Sequence, residues 1–189
     1  MDRRGFTLLE TLIVVGIAAV VTMTAIPKMT NVIATAKLRA SMTSLSGLLQ
    51  NTRMMAVQQN KTKTTRFSGG TTTRLMGYVK DAADTSALTT RDAQVEMEAP
   101  ITKMTTPSGT GAPAAISTTV LGFTPDTDDP SFNSRGLPCE YASGICTTKG
   151  FISYYKDNRI DGSGGWAAIS VSPAGRIKRW FYNGSAWVD

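Results

Sequence analysis

Few residues of this chain could carry acid–base or nucleophilic chemistry. The sequence has no histidine and only two cysteines. Without histidine there can be no Ser-His or Cys-His nucleophile pair and no histidine-ligated metal, and two cysteines cannot form a Cys₄ zinc site. The sequence also has no G-x-S-x-G string and no P-loop. Carboxylate chemistry, a binding module and a structural protein remain. Because nothing in the sequence marks a carboxylate pair, we expect a binding or structural protein, not an enzyme, with no cofactor and no metal.

Glu10 is the carboxylate whose position most needs an explanation. It is the single charge in the apolar run Phe6–Ile26. As a helix this run would be about 31 Å long, close to the hydrocarbon core of a bilayer at about 30 Å, which predicts a transmembrane segment over 6–26. A carboxylate among apolar residues suggests a partner. A cut between Gly5 and Phe6 would create an amine for it, in its own or a neighbouring chain; the alternative is that Glu10 reaches the lipid headgroups.

A cleavable secretory signal peptide is the rival interpretation of the same segment. It fits less well, because the apolar run is long for a signal peptide and no A-x-A-like cleavage site follows it. The small residues Ala18 and Ala19 lie inside the run instead.

The string Arg3–Glu10 (RRGFTLLE) resembles the type III signal of type IV prepilins and type II secretion pseudopilins. The resemblance implies that prepilin peptidase removes a leader, residues 1–5, by cutting after Gly5. It implies that Phe6 becomes the methylated N-terminus and that Glu10 is needed for assembly. Pro27 lies where this family has a helix-kinking proline.

The resemblance also implies partners and a location. Other pilins or pseudopilins would surround the chain in a helical filament, after contact with the peptidase and an inner-membrane assembly platform. Before assembly the chain would cross the bacterial inner membrane once, with its head on the periplasmic side; afterwards it would stand in a periplasmic or cell-surface filament. Cleavage would remove two basic residues and one acidic residue, and so lower the net charge from +6 to +5.

Beyond the apolar run, spacing predicts that the helix continues. Leu38, Met42, Leu45 and Leu49 recur at intervals of four, three and four, which places them on one face. We expect one helix over 6–60, with this face packed on the rest of the chain. A coiled-coil partner is the less favoured alternative, because the heptad pattern is short.

Residues 61–189 are predicted to form a β-rich globular head. Short runs rich in Val, Ile, Tyr and Thr alternate with Gly, Pro and Asp clusters, as in antiparallel sheets. The predicted fold class is therefore α+β, a long N-terminal helix on an antiparallel β-rich head, with loops at 105–113 and 125–130. The candidate strands are 74–80, 94–98, 116–124, 150–155, 166–172, 176–182 and 186–188.

Two strings of the head, 132–138 (FNSRGLP) and 169–176 (ISVSPAGR), resemble GspH/FimT-type minor pseudopilins. Members of that group work at or near a filament tip, in type II secretion, in type IV pili or in DNA uptake. The resemblance implies a minor (pseudo)pilin that is cleaved, N-methylated and assembled; the alternative is a DNA-binding receptor subunit of an uptake pilus.

The DNA alternative depends on Gly175–Trp180 (GRIKRW). Some FimT-like proteins contact DNA through a Gly-Arg-x-Arg element, which makes Arg176, Lys178 and Arg179 the candidates here. An edge strand whose charges limit aggregation is the competing interpretation. Alternation along a strand predicts Arg176, Lys178, Trp180 and Tyr182 on one face and Ile177, Arg179 and Phe181 on the other. Two cations beside two aromatic rings would suit phosphate contacts and base stacking.

Three further features are less specific. Cys139 and Cys146 could form a disulfide outside the inner membrane, and a free, buried pair of thiols is the alternative. Acidic loops at 126–129 and 157–162 could hold Ca²⁺, but neither has the spacing of an EF-hand. Charge is uneven along the chain, since residues 11–80 contain nine basic residues and no acidic one. Such asymmetry predicts either a surface or partner that differs along the molecule or simply solvated charged faces.

Overall fold

The computed structural model describes residues 7–69, 74–98, 100–160 and 164–189, with the side chains of 24–28 left out. Helix α1 spans Leu8–Gln58. The chain forms two compact units, Met1–Ile33 and Ala34–Asp189. The second half of α1 therefore belongs to the same unit as the strands. The change from helix to strand at residues 58–63 is not a boundary between compact units.

The strands of the second unit form two six-stranded groups. The first sheet is antiparallel in the order β3-β2-β1-β6-β7-β8. Its strands are β1 Lys63–Ser68, β2 Met76–Asp81, β3 Gln94–Glu96, β6 Ser131–Phe132, β7 Pro138–Ala142 and β8 Ile145–Thr148. The second has the order β12-β11-β10-β9-β4, and β5 pairs with β9 in parallel. Its strands are β4 Ile101–Met104, β5 Pro125–Asp126, β9 Gly150–Asp157, β10 Trp166–Val171, β11 Ile177–Tyr182 and β12 Trp187–Val188. The predicted α+β class is confirmed.

The main core lies between the second half of α1 and the sheets. The periodic helix residues Leu38, Met42 and Leu45 are buried there. Phe132 from the first sheet and Phe151 from the second belong to the same cluster. The apolar face predicted from the spacing is thus the face that packs on the head, because burying it removes a continuous row of aliphatic side chains from water.

The second sheet is covered on both faces at β9 and β10, and neither strand contains an exposed residue. Along β9, Phe151 and Tyr155 point into the main core, whereas Ile152 and Tyr154 join a second cluster on the other face. The hydroxyl of Tyr154 accepts a hydrogen bond from the backbone of Ile116 at 3.0 Å. The segment that contains Ile116 therefore covers this outer face.

One predicted strand, 116–124, is wrong. Helix α2 spans Thr118–Leu121 in that segment. The hydroxyl of Ser117 caps it by accepting from the backbone N–H of Val120, and Gly122 ends it with a φ of 79°. A serine N-cap and a left-handed glycine therefore override the strand preference of Thr118, Thr119 and Val120.

The other predicted strands agree better with the structure. The segments predicted at 74–80, 94–98, 150–155, 166–172, 176–182 and 186–188 each contain a strand. Strands β1, β4, β6, β7 and β8 were not predicted, and β5 lies inside the predicted loop 125–130. The unpredicted strands are short or rich in polar residues, so hydrophobic alternation marks them weakly.

Candidate assembly site and basic surface

The start of α1 places Glu10 in its first turn. The hydroxyl of Thr7 accepts a hydrogen bond from the backbone N–H of Glu10 at 3.3 Å, as an N-cap residue does. A carboxylate in a first turn interacts favourably with the positive end of the helix dipole. The Glu10 side chain is exposed. Gly5 and Phe6, the predicted cleavage point and methylated residue, lie outside the described residues.

Apart from Glu10, the side chains of residues 8–23 form an apolar surface on all sides of the helix. Large aliphatic side chains project from every face and are all at least half exposed: Leu8, Leu9, Leu12, Ile13, Val14, Val15, Ile17, Val20, Val21 and Met23. Two threonines of the segment turn their hydroxyls back to the helix. Thr11 donates to Leu8 O at 2.9 Å, and Thr22 donates to Ala18 O at 2.6 Å. This surface therefore offers few hydrogen-bonding groups to its surroundings.

Among the described residues, which omit the side chains of 24–28, no helix is both long and apolar enough to cross a membrane. The transmembrane assignment of 6–26 is thus not confirmed and stays a prediction. Helix α1 continues through Pro27. The kink expected there also stays a prediction.

The three candidate DNA-binding residues do not converge on one surface. Arg176 is exposed in the turn before β11. Lys178 lies on the outer face of β11, with its ammonium 4.1 Å from the centre of the Trp180 ring. Arg179 points to the opposite face, where it donates to Thr43 Oγ1 of α1 at 2.7 Å. Arg179 thus lies on the face opposite Lys178, as strand alternation predicts, and Arg176 precedes the strand and belongs to neither of its faces.

The predicted face also lacks a free aromatic platform at its centre. Trp180 is 4% exposed and belongs to the second cluster, and its indole N–H donates to Ser170 Oγ at 2.8 Å. The Tyr182 ring lies 5.5 Å from that of Trp187 in a tilted pair. Base stacking on Trp180 is therefore excluded by its burial, and that part of the prediction is wrong.

Lys178 already has an anionic partner. Its ammonium lies 2.5 Å from the carboxylate of Asp189. The hydrogen bond from Lys178 holds the pKa of the Asp189 carboxyl below its ordinary value, with a smaller contribution from the charge of Arg176. A phosphate would have to compete with this carboxylate for Lys178.

Arg53 is a basic residue that the sequence did not single out. It lies on α1, and its Nη1 donates to the carbonyl oxygen of Gly175 at 3.3 Å. Its side chain also passes Gly136, where an added Cβ would lie 3.1 Å from Arg53 Nε. Arg53 thus stands between the turns that carry Arg135 and Arg176. A one-dimensional pattern could not reveal it, because the three residues are far apart in the chain.

The two cysteines are joined. Cys139 on β7 and Cys146 on β8 form a disulfide across this hairpin, with their Cα atoms 5.3 Å apart. That separation is normal for a disulfide. The bond closes the short loop of an edge hairpin in the first sheet.

Acidic side chains approach one another beside the same hairpin. Carboxylate oxygens of Asp126, Asp128 and Glu140 lie within 4.8 Å of one another. Lys149 stands among them, 3.2 Å from Asp126 and paired with Glu140. Its hydrogen bonds with Glu140 and Asp126 raise the pKa of Lys149. The Lys149 ammonium therefore already supplies positive charge to this group of carboxylates.

With this geometry in place, comparison with known proteins gives one match. Residues 1–26 match the family model of the prokaryotic N-terminal methylation motif. The match indicates a type IV pilin-like precursor that a prepilin peptidase processes and that assembles with other pilins. No curated protein and no solved structure matches the chain.

Proposed function

We propose that the chain is a minor pilin or pseudopilin of the GspH/FimT type. It is cleaved after Gly5, methylated on the amine of Phe6 and assembled near the tip of a type IV pilus or type II secretion pseudopilus. The match of residues 1–26 to the methylation motif carries this proposal. The all-round apolar surface of the described part of that segment supports it, because such a surface needs lipid or other apolar helices around it.

Assembly in this proposal is a transfer between apolar surroundings. The segment 6–26 first spans the inner membrane and then enters a bundle of like helices. The head lies on the periplasmic side and gives the subunit its specificity. The protein acts as a structural subunit and carries no catalysis of its own, in keeping with a sequence that lacks histidine.

Glu10 has the central role in this transfer. Its carboxylate pairs with the Phe6 amine of a neighbouring subunit, since two opposite charges in an apolar bundle are each costly alone and neutralise one another as a pair. The first-turn position of Glu10, one residue behind Leu9 and exposed, leaves the carboxylate accessible to a neighbour.

A Glu10→Gln variant tests this role, because it keeps the shape of the side chain and removes its charge. We expect Glu10→Gln to reach the membrane at the normal level but to be missing from the sheared filament fraction in quantitative immunoblots. Thr22→Ser, a conservative change in the same helix, is the matched control and should assemble normally. Normal incorporation of Glu10→Gln would contradict the pairing role.

A DNA receptor on an uptake pilus is the second candidate. Exposed Arg176 favours it, but Lys178 is paired with Asp189 and Arg179 lies on the opposite face. Three phosphate contacts would give a slope of about −2 to −3 in a plot of log affinity against log salt. Titration of the full chain in detergent with duplex DNA measures that slope. No binding at low salt, or equal binding by Arg176→Ala/Lys178→Ala, removes this role.

A further inference from the structure

Arginines line one flank of α1 where the helix meets β11 and the adjoining turns. Arg179 of β11 reaches Thr43 of the helix, and the guanidinium of Arg39 lies 5.5 Å from the centre of the Phe181 ring. Arg53 reaches the turn at Gly175. We call the exposed set along this flank the arginine seam; its members are Arg39, Arg53, Arg135, Arg176 and Arg179.

The seam is densest at the end where two turns meet the helix. Gly175 has a φ of 83° and Gly136 a φ of 75°, values that favour glycine. A Cβ at either position would lie within 3.3 Å of the Arg53 side chain. The two glycines therefore let the arginine lie against both turns. Arg135 and Arg176 are the chain neighbours of these glycines, so each turn brings the backbone of an exposed arginine to this end of the helix.

The charge of the seam is not neutralised within the described part of the second unit. None of its arginines has a carboxylate within 4.0 Å there; Asp189, which pairs with Lys178, is influenced by Arg176 at longer range. Other described cations of the unit also lack such a partner: Lys37, Arg66 and Arg91. The described carboxylates of the unit that lack a basic partner are Glu98 and Asp128. The head therefore presents positive charge in excess, concentrated along one flank.

Apolar and small side chains adjoin the seam. Met54 and Val57 are 53% and 50% exposed, and Val57 lies against the same Gly136 turn as Arg53. Gly47, on the exposed side of the helix, has nothing within 4 Å of an added Cβ. Arginine and methionine are enriched in protein interfaces, and exposed apolar side chains contribute nothing to phosphate binding. This mixture fits a protein partner better than a nucleic acid.

We propose that the arginine seam is a docking surface for the acidic head of a different pilin-like subunit, an inference that rests on the proposed function. The excess of unpaired arginines selects a partner rich in carboxylates, which would steer association and pair with the seam. A second copy of this chain offers few unpaired carboxylates, and its own arginines would repel the seam. The subunit is therefore built to stand next to a different chain and not to form a filament of its own.

The test uses the purified full chain in detergent micelles and three probes. These are the full-length chains of the same organism that carry the methylation motif and a negatively charged head, this chain itself, and short duplex DNA. Dissociation constants are measured at low and high salt. We expect an acidic-headed chain to bind most tightly and to lose affinity as salt rises.

Two variants with the same loss of charge decide whether the seam is responsible. Arg53→Gln/Arg176→Gln removes two seam arginines and should weaken binding by about tenfold or more, as central interface arginines do. The control Arg66→Gln/Arg91→Gln removes two arginines outside the seam, one of which also donates to a backbone carbonyl, Ala82 O. Binding by the control should stay within about twofold of wild type because these sites lie away from the interface. Unchanged tryptophan fluorescence checks that both variants are folded.

Several outcomes would overturn the proposal: no acidic-headed chain binds, the two variants behave alike, or duplex DNA or a second copy of the chain binds the seam at least as tightly. Mass spectrometry of the N-terminus in the same preparation separates the two claims. A processed chain that fails to bind contradicts only the seam, whereas an unprocessed chain from cells with an active prepilin peptidase contradicts the proposed function.

Discussion

Thr52 on α1 and Thr65 on β1 share a buried hydrogen bond, with their hydroxyl oxygens 2.8 Å apart. Both residues are fully buried. The Thr52 hydroxyl also donates to Leu48 O at 2.8 Å, so its single hydrogen is used and Thr65 is the donor between the two side chains. This pair links the helix to the first sheet beside a core of mainly aliphatic and aromatic side chains.

The pair predicts unequal costs for two similar substitutions. Thr52→Val leaves the buried hydroxyl of Thr65 without an acceptor and should lower the free energy of unfolding by about 1–3 kcal/mol. Thr65→Val should cost less, since Thr52 keeps its bond to Leu48. Urea unfolding of the full chain in detergent measures both, with tryptophan fluorescence as the probe because all three tryptophans lie in the second unit.

The double variant Thr52→Val/Thr65→Val serves as the control for this pair. It removes both polar groups together, so its cost should fall below the sum of the single costs by about 0.5 kcal/mol or more. Additive costs would show that the two hydroxyls do not depend on each other.

Loss of the Cys139–Cys146 disulfide should destabilise the head. Closing so short a loop stabilises a folded chain by about 2.5 kcal/mol on the chain-entropy estimate. Cys139→Ala/Cys146→Ala should therefore unfold at a lower urea concentration than the oxidised wild type. The same urea titration under reducing conditions should lower the midpoint of the wild type and leave that of the variant unchanged. A wild type that is insensitive to reductant would contradict a stabilising role.

Acid should lower the folding stability of the head, because it protonates the carboxylates of Asp81 and Asp92. A hydrogen bond from the Lys63 ammonium lowers the pKa of Asp81 below its ordinary 3.8. The backbone N–H of Thr89, followed by Lys80, lowers that of Asp92. A carboxyl whose pKa is lower in the folded state stabilises the fold above its unfolded pKa, and the gain is lost as pH falls through the folded value.

The melting temperature of the wild type should therefore fall as the pH drops below about 4. Asp81→Asn should melt at a lower temperature at neutral pH and show a weaker dependence on acid. Asp128→Asn, at an exposed aspartate with no basic residue within 4.0 Å in the described chain, is the control. If Asp81→Asn kept the full pH dependence, Asp81 would not be a source of it.

Local sequence rules foresaw the long helix well, because its evidence is contained within one segment. The spacing of Leu38, Met42 and Leu45 predicts the buried face without knowledge of what covers it. The same rules failed at Thr118–Leu121, where β-branched residues suggested a strand. There the caps Ser117 and Gly122 decided the outcome, and capping outweighs propensity in so short an element.

The basic surface was harder to foresee, since it depends on contacts between distant segments. The sequence made Arg176, Lys178 and Arg179 candidates because they are neighbours in the chain, and strand alternation already predicted Arg179 on the face opposite Lys178. In the fold, strand alternation sends Arg179 to the helix side, and the pairing of Lys178 with Asp189 follows from the position of β12 beside β11. Arg53 and Arg135 join the surface only through tertiary structure, and no pattern in the sequence connects them.

The central claim is that the chain loses its leader before its helix leaves the membrane for a filament. Mass spectrometry of the N-terminal peptide from filament-associated protein tests it most directly. The account predicts a peptide that begins at Phe6 and carries one added methyl group on its amine. A peptide that still begins at Met1, recovered from filaments of cells with an active prepilin peptidase, would contradict it.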